Sequence, residues 1–358
     1  MHELNSQPLV SVTTPVYNGE EYLRECIESV LAQSYENWEF VILNNCSTDG
    51  TLDIVRGYAS RDSRIRVYSN DQFLPVINNH NKALGLTSGN SIYCKPLMAD
   101  DWLFPDCLRE MVRVAKSHLS IGLVSSYSLS GKRLILDGLP YPSTFLSGRK
   151  VCHDRLLGAP YVFGTPTNVL IRADLIRKHQ PFYNEGNLHA DLESCFEILQ
   201  YSDFGFVHQV LTFSRVHEKS QTYAVRNLDS ILLANLAAAV KFGSVYLTEQ
   251  ELKRSLQSWF RLYYRMLAVN SLRLREPRFW QYHKHMLEQI GYALDRRKLA
   301  RSVLAELVDR FLRPLRSLGE ITSWWPDAIR RALGRPSSEE ARFYEGLIDA
   351  KGLHDITP

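Results

Sequence analysis

The tightest constraint on this chain is a short alternation of apolar runs, polar loops and helical periodicity near its N-terminus. The run Leu9-Val10-Ser11-Val12-Thr13-Thr14-Pro15-Val16 is rich in β-branched residues, and Tyr17-Asn18-Gly19 supplies turn chemistry directly after it. A buried strand is predicted there. Tyr22, Leu23, Cys26, Ile27, Val30 and Leu31 then recur at three-and-four spacing while Glu21, Arg24, Glu25 and Glu28 take the other face, which predicts an amphipathic helix. Trp38 to Leu43 predicts a second strand ending in the polar loop Asn44-Asn45-Cys46-Ser47-Thr48-Asp49-Gly50. Thr51 to Tyr58 reads as a second helix and Ile65 to Tyr68 as a third strand.

Strands that alternate with helices through short loops imply βαβ units, hence an α/β domain whose mainly parallel sheet is flanked by helices. Ligands of such sheets bind outside the carboxyl ends of the strands, where residues 14–19 and 44–50 fall. Each loop is either part of a nucleotide pocket or only a turn. No Gly-x-Gly-x-x-Gly follows either strand, which counts against a dinucleotide enzyme.

At 358 residues the chain exceeds what one hydrophobic core normally serves, and 45% apolar with 23% charged residues can bury a sizeable core. After Thr222 the strand signals give way to helical ones, such as Leu232, Leu233, Leu236 and Val240, then Leu252, Leu256, Trp259, Phe260 and Tyr263. This places an α/β domain over residues 1–225 and a mostly helical region over 226–358. The net charge is only +3, yet residues 290–336 hold ten Lys/Arg against five Asp/Glu. Such local basicity points to a phosphate-bearing or membrane-surface partner for that segment and not to nucleic-acid binding by the whole protein. Within segment 296–335, Leu299, Val303, Leu304, Leu307, Val308, Phe311 and Leu312 form an apolar stripe beside Arg301, Arg310, Arg313 and Arg316, and Pro314 is predicted to end or kink the helix. Trp324-Trp325, Arg330-Arg331 and Arg335 follow. The stripe either packs on the protein's own helices or meets an anionic membrane interface.

The six cysteines form no C-x-x-C pair, so neither a zinc site nor a disulfide framework is expected, and a reducing cytoplasm fits. No run of 18 or more apolar residues occurs. The expectation is a cytoplasmic protein that does not span a membrane, with peripheral contact at the inner face if the stripe meets lipid.

Three clusters could carry chemistry. Asp100-Asp101 closes the segment Met98-Ala99-Asp100-Asp101-Trp102 after an apolar run, so the pair sits at a strand end and either holds a hard divalent cation or has Asp101 capping the next helix. Asp191, in Leu188-His189-Ala190-Asp191-Leu192-Glu193, sits near a helix start, where an acid often only complements the helix dipole. His217, in Arg215-Val216-His217-Glu218-Lys219-Ser220-Gln221-Thr222, is a ligand candidate or a surface histidine.

Taken in order, these motifs resemble the family 2 glycosyltransferases with the GT-A fold, especially those that assemble bacterial surface polysaccharides, across roughly residues 8–222. The resemblance rests on Ser11 to Asn18 with Tyr22-Leu23, Asn45 to Thr51, Asp100-Asp101, Gly164-Thr165-Pro166-Thr167, and Asp191 with Arg215-x-His217-x-x-Ser220-x-Thr222. It implies that Thr14, Pro15 and Tyr17 line a base and ribose pocket, with Asn45 contacting the base. Asp101, with Asp100 beside it, would meet sugar, diphosphate and a Mg2+ or Mn2+ ion, and His217 would approach the metal or diphosphate. Asp191 would be the catalytic base, and Gly164 to Thr167 would shape the acceptor side. The implied reaction is inverting transfer from a UDP-, dTDP- or GDP-sugar to a glycan or lipid-linked glycan, as in O-antigen or capsule assembly. Asn44-Asn45-Cys46-Ser47 stands where many members have Asp-Asp-Gly-Ser, Ala99 stands where an acid or Ser is frequent, and Ala190 where Glu is frequent. A catalytically silent nucleotide-sugar-binding homologue is one alternative. Another is a sugar-phosphate nucleotidyltransferase, which would normally carry a Gly-rich basic loop, whereas residues 14–24 hold one Gly and one Arg.

Overall fold

The computed structural model describes residues 7–217 and 226–319. They fall into two compact units, residues 7–155 with 161–217, and residues 156–160 with 226–319.

The first unit opens with β1 (Val10–Val16), α1 (Leu23–Leu31), β2 (Trp38–Asn44), α2 (Thr51–Ala59) and β3 (Ile65–Ser69), close to the bounds read from periodicity. After α3 (Val76–Gly85) the chain returns as β4 (Tyr93–Pro96) on the other side of β1. The strand order β3-β2-β1-β4 is parallel throughout, with Val10 opposite both Trp38 and Tyr93. Because the chain reverses its direction of travel across the sheet at β1, the carboxyl ends of β1 and β4 diverge into a crevice. On α1, Leu23, Cys26, Ile27 and Val30 are fully buried, as the three-and-four spacing requires.

The remainder of this sheet is mixed. After β5 (Trp102–Leu103) and α4 (Cys107–Ser117), β6 (Ile121–Ser130) runs parallel to the long strand β10 (Asp203–Ser214). Between them in sequence lie β7 (Arg133–Ile135), β8 (Phe145–Leu146), α5 (Gly148–Leu156), β9 (Leu170–Arg172), α6 (Ala173–Lys178) and α7 (Ala190–Ile198). β9 lies antiparallel to both β4 and β6, so it welds the parallel strands β1–β4 to the rest of the sheet. The residue at the start of α4 is Asp106, which removes the reading of Asp101 as a helix cap.

The second unit contains α8 (Ile231–Tyr246), α9 (Glu249–Leu272), α10 (Pro277–Gln289) and α11 (Arg296–Gly319). Thr248 and Glu251 form a reciprocal capping box that sets the start of α9. Its core includes Leu236, Phe242, Trp259, Tyr263, Leu267 and Phe279. His283 is buried there, touching the Tyr263 hydroxyl through Nδ1 at 3.0 Å and the Leu228 carbonyl through Nε2 at 2.8 Å, and burial pushes it down to about 4, so it is a neutral core residue. α11 continues through Pro314 to Gly319 and does not stop there; one missing N–H does not end a helix whose other backbone bonds remain. Among the described residues no helix is long and apolar enough to cross a membrane. The membrane-directed reading of segment 296–335 falls within the described residues only as far as 319, so Trp324-Trp325, Arg330-Arg331 and Arg335 lie outside them.

Candidate active site

The site is assembled from loops at the carboxyl ends of β1, β2 and β4. The first two loops interlock. The Asn18 amide donates to Ser47 Oγ at 3.0 Å, Asn18 Oδ1 accepts from the Thr48 amide at 2.8 Å, and Glu20 Oε2 accepts from the Gly50 amide at 2.8 Å. Asn18 and Cys46 both adopt positive φ, a turn geometry that asparagine takes readily and that Cys46 takes where the family often has glycine. Thr14 is fully buried and its hydroxyl donates to the Leu97 carbonyl at 2.8 Å, tying β1 to the segment that carries the acid pair. Pro15 is partly exposed beside it.

Asn45 does not present its amide to the crevice. Its Oδ1 accepts from the Leu74 amide at 2.9 Å and from Asn70 Nδ2 at 2.8 Å, and its Nδ2 donates to the Leu74 carbonyl at 2.8 Å. The side chain is 2% exposed, so it pins the loop after β3 and leaves no oxygen lone pair for a base. What that pinned loop presents instead is Phe73. Phe73 is 56% exposed and meets the 50% exposed Tyr17 edge to face, with ring centroids 4.9 Å apart. An aromatic standing alone in the turn-rich run Asn70-Asp71-Gln72-Phe73-Leu74-Pro75 was the available sequence signal for it.

The two acids at the end of β4 have separate environments. Asp101 is 5% exposed; Thr167 Oγ1 donates to its Oδ2 at 2.6 Å and the Arg215 amide to its Oδ1 at 2.9 Å. Burial, with Asp100 adding repulsion, pushes its carboxyl up to about 7 against those two bonds. Asp101, expected to meet a metal, is therefore turned inward with both oxygens engaged. Asp100 is the partly exposed member, and its Oδ2 lies 2.8 Å from His217 Nε2. His217 Nδ1 is buried without a hydrogen-bond partner among the described residues. A carboxylate beside an imidazole nitrogen suits Mn2+, and the carboxylate alone suits Mg2+, in an open site completed by phosphate oxygens and water. Among the described residues no group of three His, Cys, Asp or Glu closes a metal cage by itself.

Arg215 locks this arrangement. Its Nε donates to the Asp100 carbonyl at 3.1 Å, its NH2 meets Glu25 of α1 at 2.6 Å, and its guanidinium lies over the rings of Tyr22 and Trp102. Beneath the pair sits Lys95, fully buried on β4, whose Nζ donates to the Thr167 carbonyl and, at 3.1 Å, to that of Val169. Burial pushes this ammonium down to about 8. Lys95 thus holds the backbone of the residue whose hydroxyl holds Asp101. A lysine inside a strand carries no periodic signal, so sequence reading passed over it.

The segment Gly164 to Thr167 divides between two tasks. Thr167 is fully buried against Asp101, a correction to its expected place on the acceptor side. Gly164, Thr165 and Pro166 line a small cavity with Asp191, Ser194, Tyr183 and Cys195. The turn is held by Asn168, whose Oδ1 accepts from the Thr165 amide at 2.7 Å and whose Nδ2 donates to Thr212 Oγ1 at 2.8 Å. Gly164 has φ of +90°, and a Cβ there would lie 2.5 Å from that of Asn168. Gly164→Ala is expected to cost about 1–3 kcal/mol, read as a lower Tm in a thermal melt. An unchanged Tm would show that the turn tolerates displacement.

Asp191 is in the first turn of α7. Burial pushes its carboxyl up to about 6, while backbone N–H groups at the helix start pull the other way. A carboxylate poised near neutrality on a cavity wall is suited to taking a proton.

A parallel switch-point crevice with an acid pair at the end of its fourth strand, extended by a mixed sheet that brings in a second raised carboxyl, is the architecture of the GT-A fold. Solved structures bear out the fold. Staphylococcus aureus TarS (residues 1–349) in complex with UDP-GlcNAc superposes with TM-score 0.59 at 16% identity, covering 84% of this chain and 85% of that one. The mannosyltransferase PcManGT of Pyrobaculum calidifontis, in complex with GDP-Man and Mn2+, gives TM-score 0.52 at 15% identity over 99% and 89% of the two chains. Residues 11–179 match the profile of Glycosyl transferase family 2. An uncharacterized glycosyltransferase of Haemophilus influenzae is 29% identical over 62% of this chain and 69% of its own length. A Bacillus subtilis protein named as the teichuronic acid biosynthesis glycosyltransferase TuaG is 33% identical over 43% of this chain, which spans 58% of that relative.

Proposed function

We propose that the protein transfers a sugar, with inversion, from a nucleoside-diphosphate sugar to a hydroxyl of a glycan acceptor. The observation that carries this reading is the turn 164–168, which places Thr167 on the donor-side acid Asp101 and Gly164 to Pro166 on the cavity wall with Asp191. One short segment thus joins a site for the leaving group to a site for a base.

The donor base stacks on Tyr17 and Phe73, with Thr14 and Pro15 shaping the ribose side. Asp100 and His217 would hold Mg2+ or Mn2+, which when bound would supply positive charge beside the leaving diphosphate. Asp101, held by Thr167, the Arg215 amide and, through Thr167, Lys95, fixes the backbone on which Asp100 sits. Asp191 removes the proton from the acceptor hydroxyl as its oxygen attacks the anomeric carbon; the bond from that carbon to the phosphate oxygen breaks, and the nucleoside diphosphate departs. A single base on the face opposite the leaving group gives inversion, by the displacement logic of inverting glycosidases. Complexes of the structural neighbours with UDP-GlcNAc and GDP-Man support a nucleoside-diphosphate sugar as donor. The naming of TuaG supports a role in bacterial surface polysaccharide assembly. A lipid-linked glycan as acceptor, at the inner face of the membrane, is part of the same proposal.

The test is release of nucleoside diphosphate from a panel of such donors, with Mn2+ and with EDTA. Turnover of one donor that EDTA abolishes is expected. Binding of a donor with no hydrolysis or transfer under any condition would favour the silent homologue. Phe73→Ala is expected to weaken nucleoside diphosphate binding about 10-fold, the scale of one lost base stack, in a calorimetric titration. Equal affinity would move the base elsewhere.

A further inference from the structure

Much of the apolar stripe of α11 faces outward. Leu304, Leu307, Val308 and Phe311 recur at three-and-four spacing and are 63, 47, 36 and 77% exposed. The side turned into the bundle carries a buried charge beside the partly covered Leu299 and Val303: Glu306 is 7% exposed, with its Oε1 3.0 Å from Arg310 Nε and its Oε2 3.7 Å from Arg265 Nε of α9. A surface helix ordinarily buries its apolar face, whereas here Leu304, Leu307, Val308 and Phe311 stay outside. Beside the stripe, Leu299, Ala300, Val303, Leu304 and Leu307 border an open groove of about 530 Å³ with Arg296 at its rim.

Charge names the partner. Arg297 and Arg301 are exposed and continue the line of Leu304, Val308 and Phe311 along the helix at three-and-four spacing, with Arg296 and Lys298 exposed alongside. Four cations in the first two turns sit at the positive end of the helix dipole, where they oppose the helix they belong to. That cost is offset where an anionic surface meets them. An exposed apolar stripe continued by an arginine line matches the acyl boundary and the headgroups of an anionic bilayer, with the helix lying in the interface plane.

We propose that the outer face of α11 docks this protein on an anionic lipid surface. The inference deepens the reading of a lipid-linked acceptor, but its test uses no transfer reaction, so either can fail alone. The full chain is mixed with vesicles of phosphatidylcholine alone or with about 30% phosphatidylglycerol, sedimented, and assayed for pelleted protein. Binding to the anionic vesicles is expected, little to the neutral ones, with release in high salt as the Debye length shortens. L304E/F311E should weaken binding at least 10-fold, roughly the scale of losing two inserted apolar side chains. R297A/R301A should weaken it about 30-fold, the scale of two basic residues near such a surface. Both pairs are exposed, so far-UV circular dichroism and Tm should match the wild type. Donor hydrolysis in solution should also be unchanged in both variants, which separates this test from that of the transferase. Absence of wild-type protein from the anionic pellet, or equal pelleting of wild type and L304E/F311E, would overturn the proposal. So would a wild-type dimer in light scattering that L304E/F311E converts to monomer without any vesicle binding, since the face would then serve a second copy of the chain.

Discussion

Asp191→Asn is expected to lower kcat by at least about 100-fold while leaving the affinity for the donor nearly unchanged. The exchange keeps size and shape but removes the basic lone pair, so a merely structural Asp191 would survive it. The raised carboxyl adds a second reading of the same experiment. A base works in its ionised form, so activity should rise with pH through about 6 and level off above it, where the carboxylate is already formed. A carboxyl at its ordinary value near 4 would place that limb two pH units lower. Measuring kcat from pH 4.5 to 8 in the wild type therefore tests the burial of Asp191, and measuring it in the variant tests the role. Unchanged kcat in Asp191→Asn would move the base elsewhere, with Glu193 the nearest acid on the same helix turn; Glu193 already accepts from Asn184 Nδ2 and Asn187 Nδ2, which makes it the poorer base.

The second large effect separates the two acids of the pair. Asp100→Asn is expected to cut kcat/KM by about 100- to 1,000-fold, the scale of losing one charge-stabilising group at a leaving oxyanion. It should also raise the Mn2+ concentration that gives half-maximal activity. Asp101→Asn should cost much less and leave that concentration in place, because an asparagine oxygen can still accept from the Arg215 amide and its side-chain nitrogen can donate to Thr167 Oγ1. Asp101→Ala, by contrast, leaves both donors buried without an acceptor and should lower Tm as well as activity. The opposite order, with Asp101→Asn abolishing metal response and Asp100→Asn sparing it, would return the metal to Asp101 and require that side chain to turn outward on donor binding.

The sequence by itself determined the local elements. The bounds of β1, α1, β2, α2 and β3 follow from hydrophobic period and turn residues within a residue or so, since those signals are read over neighbouring positions only. Placing an acid pair at a strand end and Asp191 at a helix start needed nothing more. The tertiary structure alone decided what each polar side chain does there. Asp101 is held by residues 66 and 114 positions away, Asn45 is consumed by a loop 29 positions on, and Tyr17 finds Phe73 across two strands. Which of two adjacent carboxylates is buried depends on which long-range donor reaches it, and no local pattern encodes that. The same holds for α11. Its amphipathic period was legible, but a helix of this kind can turn either face inward, and here Glu306 is covered beside Arg265 of the neighbouring helix while Leu304, Leu307, Val308 and Phe311 stay exposed. Periodicity specifies that two faces exist; only the partner across the interface specifies which one is covered.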